Sequence, residues 1–137
     1  MRLNFKNQKN IFNIHEGSVP YLSFRALDDA GIFINGFTTK DGGVSEGYLA
    51  SLNLTLKKEG EKREHVLENF RRLSEAAGFD MDKAVLSDQT HTTNVRRVTE
   101  EDAGKGLLTK PDYESVDGLV TDVPDITLVT FYADCVP

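Results

Sequence analysis

Ile126-Thr127-Leu128-Val129-Thr130-Phe131-Tyr132 leads directly into Ala133-Asp134-Cys135-Val136-Pro137. A strand with one face in water alternates apolar and polar residues, whereas a nearly continuous apolar run is the pattern of a strand covered on both faces. Such a strand needs neighbours, and terminal residues stay ordered only when something ties them down. The run therefore predicts a buried strand, and the reading expects a truncated piece of a longer protein broken off after Pro137.

Working back from that strand, short apolar or alternating runs bounded by polar residues predict further strands at Ile11–Ile14, Tyr21–Phe24, Ile32–Thr38, Ala84–Leu86, Val95–Val98 and Leu119–Thr121. One strong helical pattern lies within Glu61–Ala77, where Val66, Leu67, Phe70, Leu73 and Ala77 recur at three- and four-residue steps and Gly78 offers a C-terminal cap. Glu and Arg cover its other face, which reads as solvated surface while the apolar stripe lies on a sheet. Between Thr99 and Val116, Gly104, Gly106 and Pro111 break a long loop, read as a connection between sheet elements, with a lid as the alternative. The fold class is α+β: a layered mixed β-sheet with few helices.

Composition narrows the function. The 137 residues are 39% hydrophobic and 28% charged, as in a soluble globular domain, and the net charge of −6 with no Lys/Arg block argues against a phosphate-tracking surface. Nucleic acid is not an expected partner, although a small anionic or nucleoside ligand needs only a few local donors. No run approaches the ~18–20 apolar residues that span a bilayer, and Met1–Asn10 lacks the apolar core of a signal peptide, so no membrane partner is expected and the location is read as cytoplasmic. The single cysteine excludes an internal disulfide and leaves Cys135 as core thiol, ligand or nucleophile.

Three segments bring chemistry. Gly36–Ser45 runs from a strand into Gly42-Gly43 and on to Ser51-Leu52-Asn53-Leu54, placing Lys40 and several donors where backbone approaches closely; by itself it reads as a turn, with an anion or substrate site as the alternative. In Val85–Val95 a strand gives way to polar residues around His91, a candidate zinc ligand or proton shuttle, or else a loop histidine bonded to solvent or backbone. Cys135 emerges from the most hydrophobic strand; buried cysteines are mostly inert, but a thiol at a strand end is held rigidly enough for a metal ligand or nucleophile. His15 and His65 read as structural or exposed.

Several ordered segments together resemble the YfiH family, also called the laccase-domain or polyphenol oxidase family and associated with purine nucleoside phosphorylase activity. Phe37–Ser45 resembles its F-[ST]-T-R-x-G-G-V-S, and Ser51–Leu54 its S-x-N-L. Glu68–Leu73 is similar to its E-N-R-x-x-L helix, Gln89-Thr90-His91 to its Q-x-H, Asp117–Thr121 to its [AD]-[DG]-x-[LIV]-[TV], and Ala133–Pro137 to its A-D-C-x-P. The match runs from about Gly36 to Pro137; the preceding residues carry little of it.

The resemblance implies that residues 1–137 are the N-terminal portion of a single YfiH-like domain. It implies a zinc site formed by His91, Cys135 and a later histidine beyond Pro137, with His91 and Cys135 as the catalytic residues. The implied partners are a purine nucleoside and phosphate: phosphorolysis of adenosine, inosine, guanosine or methylthioadenosine, with adenosine deamination as a second activity. Lys40, Gly42 and Gly43 become candidates for anion or substrate contact, and Asn53, Gln89 and Asp117 for orienting the ligand or supporting the ligating groups. Lys40 stands where the family has arginine, giving charge without the bidentate fork, and Thr92 where it commonly has glycine. His91 and Cys135 should meet at neighbouring strand ends, with Lys40 and the Gly42-Gly43 turn on the same cleft. Two rival readings remain: a cysteine hydrolase or amidase acting on cell-wall peptides, with Cys135 as nucleophile and His91 as base, and an inactive structural fragment. A multi-copper oxidase would call for many histidines, and the chain has 3. Oligomeric state is not readable.

Overall fold

A computed structural model describes residues 11–133, which places Cys135 and the rest of the A-D-C-x-P segment outside the described residues. The chain divides into two compact units, Met1–Phe79 and Asp80–Pro137.

In the first unit, β1 (Phe12–His15), β2 (Tyr21–Phe24) and β3 (Phe37–Thr38) form an antiparallel sheet in that order, with His15 opposite Tyr21 and Tyr21 opposite Thr38. Side chains alternate across the sheet. Asn13, His15, Tyr21 and Ser23 share one face, where His15 stacks on Tyr21 at 4.2 Å and its Nε2 lies 2.7 Å from the Ser23 hydroxyl. His15 is therefore structural, as expected. A short helix α1 (Arg25–Ala30), absent from the sequence reading, follows β2 and ends at Gly31 in the left-handed conformation. Its Asp28 accepts hydrogen bonds from Asn13, Ser23 and Asn35, which fastens α1 to the sheet.

The strand expected over Ile32–Thr38 contracts to Phe37–Thr38. The Phe24 amide, which a longer third strand would pair, donates instead to the Asn35 side chain at 2.6 Å, and Ile32, Phe33 and Ile34 stay exposed. Helix α2 (Arg63–Ala77) follows the predicted stripe, with Val66, Phe70 and Leu73 buried and Gly78 capping it through a 2.8 Å bond from its N–H to the Ser74 carbonyl. Leu73 joins Val19 and Leu52 in the core of this unit. His65 pairs with Glu61 at 3.2 Å on the polar side.

The second unit is built from parallel pairs. β4 (Ala84–Leu86) pairs with β7 (Thr127–Val129), Leu86 opposite Val129, and β5 (Val95–Arg97) pairs with β6 (Gly118–Val120). Val85, Val98, Tyr113 and Val116 form its core, with Leu119, Ile126 and Leu128 partly buried against them. The Ile126–Tyr132 run was expected to be covered on both faces, yet Thr127–Val129 is only half-buried: among the described residues β7 has β4 alone as a neighbour, so one edge lacks the second strand that full coverage needs. The Thr99–Val116 loop is pinned down rather than free. Leu107 is fully buried, the Tyr113 hydroxyl donates to the Leu86 carbonyl at 2.6 Å, and the buried Asp102 carboxylate binds Lys105 and Arg96, each at 2.8 Å. Small antiparallel and parallel sheets with few helices make this an α+β fold. No helix among the described residues is long and apolar enough to cross a membrane.

Candidate functional site

The parallel pair β4–β7 sends both of its chains out at the same end, and parallel strands characteristically bind ligands beyond their carboxyl ends. The ladder continues one residue past Leu86, where the Ser87 amide donates to the Val129 carbonyl at 3.0 Å. Gln89 then ties the two exits together: its side-chain oxygen accepts from the Phe131 amide at 2.7 Å and from the Ser87 hydroxyl at 3.1 Å. The segment bearing His91 and the segment running toward Cys135 therefore leave the sheet side by side.

His91 sits on a turn organised by one carboxylate. Asp117 accepts hydrogen bonds from the Thr90, His91 and Thr92 amides at 3.2, 2.8 and 2.9 Å. The Thr92 hydroxyl lies 2.8 Å from the same carboxylate and 3.0 Å from the Ser115 carbonyl, with one proton to share between them. The Thr92 amide bond, helped by that hydroxyl and the other two amides, holds the Asp117 carboxyl at about 2, against the upward pull of burial. Asp117 is itself fixed at the start of β6, its amide donating to the Asn94 carbonyl at 3.1 Å. His91 adopts φ 64°, a left-handed conformation uncommon outside glycine. Its side chain is exposed, and the imidazole has no partner among the described residues. The left-handed residue is His91 itself; Thr92 is not left-handed, and its hydroxyl joins the clamp.

The glycine turn belongs to the first unit. A Cβ on Gly43 would lie 2.0 Å from the Ser51 carbonyl oxygen and 2.5 Å from Leu52 Cα; one on Gly42, whose φ is 96°, would lie 2.2 Å from the Ser18 carbonyl oxygen. Both glycines are thus required by backbone packing. The amides of Asp41, Gly43, Val44 and Ser45 all donate within the chain, to Thr39, Ser51, Asn69 and Ser51. What the turn presents outward is the exposed Lys40, whose ammonium has no partner among the described residues and whose carbonyl anchors the Ser51 and Leu52 amides. Asn53 faces inward, its amide nitrogen donating to the Thr55 carbonyl at 3.0 Å and to Glu61 at 2.7 Å.

Asn69 is the organising residue that the sequence reading passed over. Fully buried on α2, it accepts from the Val44 amide at 2.8 Å and donates to the Ser45 hydroxyl and to the Ser51 and Asn53 carbonyls. The signal was present, since a polar residue beside Phe70 and one turn from Val66 and Leu73 interrupts the buried stripe. Glu61, with a side chain 3% exposed, supports the same network: burial pushes its carboxyl upward, but the Ser45, Asn53 and Lys62 donors outweigh that and leave it below the usual range. Ser115 and Asp88 were also missed; the Asp88 carboxylate accepts the Ser115 amide at 2.9 Å.

Among the described residues, no three His, Cys, Asp or Glu side chains are grouped to hold a metal ion. The described donors amount to one exposed imidazole, a donor type zinc accepts, and do not make a metal site by themselves.

The class defined so far is an α+β protein presenting a clamped histidine beyond the carboxyl end of a parallel strand pair. Residues 34–137 match the family described as multi-copper polyphenol oxidoreductase laccase, and the chain belongs to it. It is 40% identical over 108 residues to purine nucleoside phosphorylase YlmD of Geobacillus stearothermophilus, covering 76% of this chain and 38% of the relative. With the Bacillus subtilis protein of the same name it is 37% identical over 105 residues, covering 76% and 37%. The crystal structure of Bacillus licheniformis hypothetical protein YfiH superposes with a TM-score of 0.81 at 31% identity, over 92% of this chain and 45% of that one. The chain thus matches less than half the length of each of these relatives.

Proposed function

We propose that this chain carries part of the site of a cytoplasmic, zinc-dependent purine nucleoside phosphorylase, and forms the N-terminal portion of a single domain of that enzyme. The reaction is attack of phosphate on a nucleoside such as adenosine, inosine, guanosine or methylthioadenosine to give free base and sugar 1-phosphate, with adenosine deamination as a second activity. The relatives' shared name supports the reaction class. The observation that carries the assignment to this chain is His91: an unpartnered, exposed imidazole in a left-handed turn, beside the chain that leads to Cys135. His91 and Cys135 are the proposed zinc ligands, with a third ligand from outside these residues. Bound zinc would polarise an oxygen-bearing reactant or water. Lys40 at the Gly42-Gly43 turn is the proposed anion contact, and Asn53, Gln89 and Asp117, whose polar groups bond within the chain, hold shape.

The test compares this chain with a longer form built to the length of the relatives, using metal analysis after dialysis and an inosine-plus-phosphate assay. Two protein ligands leave zinc half-coordinated, so the 137-residue chain should hold it weakly and turn nothing over, while the longer form does both. A longer form with no phosphorolysis refutes the proposal. A zinc-free longer form that cleaves a cell-wall peptide amide and is silenced by stoichiometric thiol alkylation replaces it with the cysteine hydrolase.

A further inference from the structure

We propose that Asp117 is a positioning residue for His91: its carboxylate clamps three successive amides, enforces the left-handed backbone at His91, and so sets the direction in which the imidazole leaves the turn. The inference rests on His91 being a site residue, and goes beyond that reading by naming what aims it.

The left-handed conformation costs an ordinary residue about 1–2 kcal/mol, so an unsupported His91 would relax to a common backbone and swing its ring elsewhere. The Asp117 clamp opposes that relaxation. The Thr90, His91 and Thr92 amides converge on Asp117, and three donors converging from consecutive residues require a curled backbone that an extended one cannot supply. Hydrogen bonds to an ionised acceptor are stronger than neutral ones, and the Thr92 hydroxyl adds another donor. The clamp has a rigid base, because Asp117 lies between the Asp88–Val116 bridge and β6, and its amide and that of Gly118 both reach the Asn94 carbonyl at 3.1 Å. Gln89 fixes the other side of the turn to Phe131. The exposed imidazole has no internal bond among the described residues, which leaves it available to a ligand.

The experiment uses the 137-residue chain, its Asp117→Ala and Asp117→Asn variants, and Asp122→Asn as a charge-matched control on an exposed carboxylate paired with Arg97. Backbone NMR reads the φ-dependent coupling of His91 and amide exchange at Thr90, His91 and Thr92. A second arm adds zinc alone and follows the His91 ring resonances. In Asp117→Ala, the coupling should leave its left-handed value, exchange at the three amides should quicken at least about ten-fold, and the zinc midpoint at the ring should weaken by about 10–100-fold. Asp117→Asn keeps an acceptor oxygen and should recover part of each change, while Asp122→Asn changes none. If Asp117→Ala does not fold, the partial loss in Asp117→Asn decides. A folded Asp117 variant with His91 coupling and exchange as in the parent overturns the proposal. Absence of any zinc response in the parent tells against the zinc reading instead, and the backbone arm still settles Asp117.

Discussion

Replacing Asn69 with leucine keeps the branched outline and heavy-atom number of a fully buried side chain while removing every hydrogen bond that side chain makes. The cost follows from which partners are stranded. The Ser51 carbonyl still accepts from the Ser45 amide at 2.9 Å, and the Ser45 hydroxyl still has Glu61, so neither is orphaned. The Val44 amide and the Asn53 carbonyl lose their partner, at 2.8 and 2.7 Å. An unsatisfied buried backbone group costs about 1–3 kcal/mol, so this part-buried pair costs at most ~2–6 kcal/mol. Leucine returns some of this through helix propensity and apolar burial, so the expected net loss is about 2–4 kcal/mol. That is a large share of the ~5–15 kcal/mol that holds a typical domain folded. In urea, monitored by circular dichroism, the midpoint should fall by roughly 1–2 M at an unchanged slope of about 1–3 kcal/mol/M. Asn69→Asp should be at least as damaging, because its carboxylate accepts from Val44 but faces two carbonyls it cannot serve. A loss under about 1 kcal/mol for Asn69→Leu, with the slope unchanged, would refute the hub assignment.

Gly43→Ala should destabilise by more than ~2 kcal/mol, because its Cβ meets backbone rather than a side chain that can move; Gly17→Ala, with open space around it, should change stability by less than about 0.5 kcal/mol in the same denaturation assay. Burial pushes the Asp102 carboxyl up, but Lys105, the Thr99 amide and Arg96 pull it well below its ordinary value. Its stabilising effect is therefore complete above the unfolded value of about 3.9 and is lost as pH falls from there toward the folded one, so thermal midpoints should drop below about pH 4 and Asp102→Asn should flatten that slope. In the longer form, Lys40→Ala should raise the phosphate requirement while leaving zinc content unchanged; an unaltered phosphate dependence removes Lys40 from the site.

Local pattern was enough for α2, whose apolar spacing and Gly78 cap are properties of consecutive residues, and for the positions of β1, β2 and β4. It was also enough to single out His91, Cys135 and the glycine turn as segments to watch. Pattern failed at Ile32–Ile34, which is apolar enough for a strand but loses its pairing when Asn35 takes the Phe24 amide. It failed again at Ile126–Tyr132, where coverage depends on neighbours that a run of residues cannot specify. The role of Asp117 was beyond sequence for the same reason. A carboxylate 26 residues from His91 becomes its clamp only because parallel pairing of β5 with β6 brings the start of β6 under the 90–92 turn. Sequence alone set the periodicities, the breakers and the chemical types available. Tertiary structure decided which donor meets which acceptor, because hydrogen bonding acts over about 3 Å of space regardless of separation along the chain.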